Sequence, residues 1–157
     1  MHDTLTFHNT RFDPTAMPFH DIAMQLAASV GYTADIPLDP QLAQLLRLRV
    51  AQLNPCAYCL VLHTKAAHER GIEADKVAHL AAFRESALYT PAEKAALGYC
   101  EDLTHYAHQD FAKTHDALSA HFSADDIAYI AAVVINMNLW TRLKLAQGAT
   151  PEYTPAP

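Results

Sequence analysis

The feature that most constrains this chain is its helix punctuation. Runs with helical apolar spacing are separated by prolines, small polar caps and glycines, placed where a helix must start or stop. Pro18 opens a run that Gly31 closes, and Pro40 opens a second run to Leu53. Asn54 and Pro55 are read as N-cap and first helical residue of a third run to about Arg70, with Gly71 behind it. A fourth run covers Glu73 to Phe83. Thr90-Pro91 with Glu93 forms a capping box for a fifth, which ends near Tyr106. Asp110 to His121 is a shorter sixth run. Ser123 caps the longest run, which carries Asp125 and Asp126 in its first turn and ends at Gly148. Leu42, Leu45, Leu46 and Leu53 share one stripe, and Ile127, Ile130, Val134 and Met137 share another, as core-facing surfaces do. No alternating apolar and polar segment is bounded by hairpin turns. The expected fold is therefore all-α, a single-domain helical bundle over residues 18–148. An irregular segment, 1–17, should precede it, and a loose, proline-bearing tail, 149–157, should follow it.

Composition narrows the function. With 157 residues, 51% of them hydrophobic, the chain builds a substantial core and is not of a disordered type. The net charge of -6 and pI near 5.9 argue against an unspecific nucleic-acid surface or a polybasic membrane patch. No apolar run is long enough to cross a bilayer. Met1 to Thr10 lacks the basic start and apolar middle of a secretion signal, so the expected location is the cytoplasm. There, a close cysteine pair is more often catalytic or metal-binding than a permanent cross-link.

That pair is Cys56 and Cys59, with His63 one turn further along the same helical run. Sulfurs in the first turns of a helix lie near the positive end of its dipole, which favours the reactive thiolate. Helix-end electrostatics alone favours Cys56 as the nucleophile, because it is nearer the terminus. Spacing favours Cys59, because an acid/base group must reach the reacting atom and His63 is one turn from it. The assignment adopted is attack by Cys59 and resolution by Cys56. Cys56, Cys59 and His63 also supply three zinc ligands, with His68 or His79 as a conceivable fourth, but no second close cluster completes the set, and no metal or cofactor is assigned. Covalent haem attachment is disfavoured because Leu60, not histidine, follows Cys59. Cys100 reads as a small buried hydrophobe. His105, His108, His115 and His121 read as solvated or capping residues, Trp140 as a core or subunit-contact aromatic rather than a substrate platform, and Arg47 and Arg49 as surface charges or partners of an acid across an interface. Tyr58 either lines the entrance to the dithiol or simply packs.

The stretch from Arg47 to His63, Arg-Leu-Arg-Val-Ala-Gln-Leu-Asn-Pro-Cys-Ala-Tyr-Cys-Leu-Val-Leu-His, closely resembles the core motif of the alkylhydroperoxidase D-like branch of the carboxymuconolactone decarboxylase family. The resemblance continues through Thr64-Lys65, Arg84-Glu85, Thr90 to Leu97 and Asn138 to Leu143, and so covers most of residues 20–147. It implies an all-helical fold assembled as a trimer, hexamer or larger ring. It also implies thiol peroxidase or disulfide-reductase chemistry on hydroperoxides. In that pattern the second cysteine, here Cys59, attacks the peroxide, the first, here Cys56, resolves the sulfenic acid, and the histidine, here His63, relays a proton. A thiol or a lipoyl-bearing partner returns the electrons. The family's relay usually includes a glutamate twelve residues before the first cysteine, and here that position is Gln44. An amide orients a neighbour but is no base. Pro55 and Thr141 likewise replace the usual glycine and asparagine. Gln44 shifts weight from efficient peroxide turnover towards two alternatives: a protein disulfide reductase or redox adaptor, and a non-catalytic oligomer that senses redox state or binds metal.

Overall fold

The computed structural model describes residues 4–107 and 110–155, so His108 lies outside the described residues. Its helices are α1 (Pro18–Val30), α2 (Pro40–Leu53), α3 (Ala57–Glu69), α4 (Ala74–Ala78), α5 (Pro91–Thr104), α6 (Phe111–Ser119) and α7 (Ala124–Gln147), with a short 3₁₀ turn at Leu80–Glu85 after α4. The all-α expectation holds. Local chemistry accounts for most of the boundaries. Asp39 accepts the Leu42 N–H ahead of Pro40, and reciprocal capping boxes start α5 at Thr90 with Glu93 and α7 at Ser123 with Asp126. Gly71 and Gly148 sit at φ 74° and 70°, the left-handed conformation that ends a helix and that other residues enter at a cost.

α2 is the central element and packs against α3, α5 and α7. Leu45, Leu46, Leu48, Val50 and Ala51 are fully enclosed, and so, unusually, are Gln44 and Arg47. The helix is thus buried nearly all round, and its polar residues need partners inside the protein.

Three expectations are corrected. The run from Glu73 to Phe83 is not one helix: α4 ends at Ala78 and the 3₁₀ turn follows, with Ala82 off helical geometry at φ -111°. Asn54 does not cap the dithiol helix. It closes α2, and its buried side chain donates to Asn138 Oδ1 at 2.8 Å and Thr141 Oγ1 at 3.1 Å, tying the α2–α3 junction to α7. The N-cap of α3 is Cys56 itself. Finally, the segment taken as irregular and the tail taken as loose pair with each other. β1 (Thr4–Asn9) and β2 (Ala149–Thr154) form an antiparallel ribbon in register from Thr4↔Thr154 to Asn9↔Ala149. Leu5 and Phe7 do alternate with polar neighbours, but the partner strand lies at the far end of the chain, so no hairpin turn marks the pair. Pro151 is tolerated because each strand of a two-stranded ribbon has a free edge. The ribbon is anchored by Gln147 Nε2 donating to Asn9 Oδ1 at 2.7 Å and by the edge-on contact of Phe7 with Tyr58 at 4.8 Å between ring centroids.

Candidate active site

The dithiol lies at the start of α3. Cys56 adopts the extended backbone of an N-cap, and its sulfur accepts the Cys59 backbone N–H at 3.3 Å. The two sulfurs are 2.7 Å apart and both are buried. A disulfide needs about 2.05 Å, so bonding requires only a small approach. When both sulfurs carry protons either one donates to the other. Once a proton is lost, the charge is better held on Cys56, which already accepts a backbone N–H. The hydrogen bond from Cys59 is the largest influence drawing the Cys56 thiol down from 9.0 to about 7, and Lys144 adds a favourable charge. Cys59 is pushed up, first by its bond to Cys56 and then by burial. Charge therefore rests on Cys56, whereas access belongs to Cys59, which lines a cavity of about 390 Å³ together with His63.

His63 is buried on α3, and its ring meets Tyr32 edge-on at 5.4 Å. Gln44 Nε2 lies 3.1 Å from His63 Nδ1 and donates to the His63 carbonyl at 3.0 Å, while Arg47 Nη1 donates to Gln44 Oε1 at 3.4 Å. This set of partners fixes the amide: its oxygen faces the guanidinium and its NH₂ faces the imidazole. Nδ1 must then be the acceptor, which leaves the ring proton on Nε2. Burial, and after it the Arg47 charge, holds His63 down at about 4, so the ring is neutral near pH 7. Protonating Nδ1 would set its N–H against the amide N–H.

Arg47 is the least expected member of the site. It is only 2% exposed, and among the described residues no carboxylate pairs with it. Its Nη2 instead donates to the carbonyls of Val30 and Gly31 at 3.1 and 3.0 Å, at the negative end of α1. Burial pulls it down to about 10, still charged at neutral pH. Arg49 meets an acid within this chain rather than across an interface: it and Arg84 share Glu101.

The structure thus brings Cys56, Cys59, His63 and Gln44 into one cluster. The remaining candidates fall elsewhere. Cys100 is fully buried, with its thiol pushed up to about 12 by that burial. His105 Nε2 donates to the Leu53 carbonyl at 3.0 Å, a capping role for α2. Among the described residues no group of three or more His, Cys, Asp or Glu is arranged to hold a metal ion, and no helix is long and apolar enough to cross a membrane. Trp140, half-buried, forms part of the cavity wall beside Cys59. Asn136 and Lys144, on the same wall, escaped the sequence reading. The i, i+4, i+8 spacing of Asn136, Trp140 and Lys144 along α7 is the signal that would have grouped them.

The family model for carboxymuconolactone decarboxylases matches residues 19–102, which span α1 to α5. An uncharacterised Bacillus subtilis protein, YdfG, is 27% identical over 118 residues, covering 74% of this chain and 80% of its own. Escherichia coli YnjA, also uncharacterised, is 32% identical over 112 residues, or 70% of this chain and 60% of its own. The crystal structure of an Agrobacterium tumefaciens protein of unknown function, described as an antioxidant defence protein of the AhpD type, superposes with a TM-score of 0.81 at 27% identity over 94% of this chain and 99% of that one.

Proposed function

This chain belongs to the carboxymuconolactone decarboxylase family, and from that premise we propose that it is a thiol-dependent peroxidase of the alkylhydroperoxidase D type. The observation that carries the reading is the dithiol itself: two sulfurs 2.7 Å apart, one of them opening with His63 onto a cavity large enough for an organic hydroperoxide.

Above about pH 7 the resting pair holds one negative charge, on Cys56. A proton passes from Cys59 to Cys56 across the short S···S contact and makes Cys59 the thiolate. Cys59 Sγ attacks the distal oxygen of the hydroperoxide; the O–O bond breaks and an S–OH bond forms. The departing alkoxide takes the Cys56 thiol proton and leaves as alcohol. His63 Nε2–H steadies the charge developing on that oxygen, and Gln44 holds the ring in the tautomer that makes this possible. The Cys56 thiolate then attacks Cys59 Sγ, and hydroxide leaves as water after taking a proton from solvent. Two thiols have become a disulfide, and the hydroperoxide has become alcohol and water. A thiol or lipoyl-bearing reductant restores the dithiol by exchange.

Gln44 supports a second reading, that of a protein disulfide reductase or redox adaptor. Dithiol exchange at the cavity-lining Cys59 needs no proton relay, and among the described residues the partner of His63 is the Gln44 amide rather than a carboxylate. Self-association fits either reading: Phe19 and Ile22 on α1 and Ile135 and Leu139 on α7 are exposed apolar side chains on helices that pack together.

Peroxide loss and free-thiol count, followed together, test the proposal. Wild type should consume organic hydroperoxide and lose two thiols for the first equivalent. Cys59→Ser should consume none. Hydroperoxide left intact by wild type, with ready reduction of a disulfide substrate, would favour the second reading.

A further inference from the structure

The cavity beside Cys59 carries features that peroxide chemistry alone does not require. Its volume of about 390 Å³ falls in the range of sites for small organic molecules. Met24, Tyr32, Tyr58, Leu62, Met137 and Trp140 give it an apolar, largely aromatic wall, and no carboxylate is among its lining residues.

Into this wall the fold sets one ammonium group. Lys144 Nζ lies 4.4 Å from the Tyr58 ring centroid and 5.9 Å from that of Trp140. Among the described residues Lys144 takes part in no ion pair and donates no hydrogen bond to either sulfur. The carboxylate that feels its charge, Asp13, is already held by the Thr15 N–H and hydroxyl at 3.0 and 2.8 Å. One turn back along α7, Trp140 Nε1 is buried with no hydrogen-bond partner, as is Asn136 Oδ1 a further turn back. A buried N–H without an acceptor is costly, so this stretch of α7 carries polar groups that the fold itself leaves unsatisfied. A cation against aromatic faces in a shielded pocket attracts an anion more strongly than the same cation in water.

We propose that the cavity selects organic compounds with a compact apolar body and a carboxylate or similar anionic group, the anion at Lys144, the body against Trp140 and Tyr58, and the hydroperoxide group at Cys59. This substrate class rests on the peroxidase reading above, but the anion site itself does not.

Trp140 is the sole tryptophan of the chain, so its fluorescence reports occupancy without turnover. The probes are para-isopropylbenzoate and its neutral counterpart, para-isopropylbenzyl alcohol. The carboxylate should bind at least about tenfold more tightly, the scale of one charge-assisted contact. Lys144→Gln should abolish that difference and Lys144→Arg should keep it. In turnover, kcat/KM for a carboxylated cumene hydroperoxide should exceed that for cumene hydroperoxide by a similar factor, and the ratio should collapse in Lys144→Gln. Equal binding of the two probes, or a preference that survives Lys144→Gln, overturns the proposal. A binding preference with neither hydroperoxide consumed leaves the anion site standing and removes the peroxidase reading instead.

Discussion

His63 and Gln44 differ in chemistry from the arrangement a glutamate would give. With an amide against Nδ1, His63 is a fixed hydrogen-bond donor. With a carboxylate there, Nδ1 would carry the proton and Nε2 would become a base. Gln44→Glu also gives Arg47 the buried counter-ion it lacks. That variant should raise kcat/KM for hydroperoxide by about a hundredfold or more, the usual range of a positioned base. Imidazole nitrogen NMR should show the ring proton moved from Nε2 to Nδ1. An unchanged tautomer would refute the assignment. The neutral His63 also sets a pH dependence of stability. An unfolded imidazole takes its proton near 6.5, whereas the folded one resists until about 4. Between those values the unfolded chain binds more protons, so stability falls as pH drops. The loss should be on the order of 2 kcal/mol by pH 5 relative to pH 7. Denaturant titrations at the two pH values should register it, and His63→Gln should flatten it.

At the scale of elements, the start of α3 couples folding to thiol chemistry, because its cap is one sulfur of the dithiol. Cys56→Ser keeps an oxygen that accepts the Cys59 N–H, whereas Cys56→Ala leaves that donor unpaired and should cost about 1 kcal/mol. In wild type the dithiol should lose its first proton near pH 7, seen as ultraviolet thiolate absorbance, and peroxide consumption should rise over the same range. In Cys56→Ser that step should vanish. The helices and most of their caps were legible in the sequence because Asp39, Thr90, Ser123, Gly71 and Gly148 act through neighbours a few residues away. The cluster of Gln44, Cys56, Cys59 and His63 was legible for a related reason: two adjacent helices and one resemblance place it. The cap of α3 was misread because Asn54 has two possible roles locally, and only Asn138 and Thr141, far along the chain, decide between them. Arg47 escaped because nothing in a sequence says that a guanidinium will be satisfied by the carbonyls at the end of another helix.

In the molecule as a whole, the cavity wall is assembled from α1, the loop after it, α3 and α7, so the site depends on long-range packing that no local pattern encodes. The same two helices, α1 and α7, carry the exposed Phe19, Ile22, Ile135 and Leu139. Light scattering should give a mass several times the 17.3 kDa of one chain, and Ile22→Glu, at a side chain 66% exposed, should reduce it towards that value. A single-chain mass for wild type would refute self-association. The ribbon of β1 and β2 has a mechanical consequence. Its outermost pair, Thr4 and Thr154, lies nearest both ends of the chain. Tension applied across those ends would peel the strands apart one pair at a time, as a zip opens, rather than shear them all together. The load would lift Phe7 from Tyr58 and bare that ring, one of the two residues between the cysteines, before any helix of the bundle was strained.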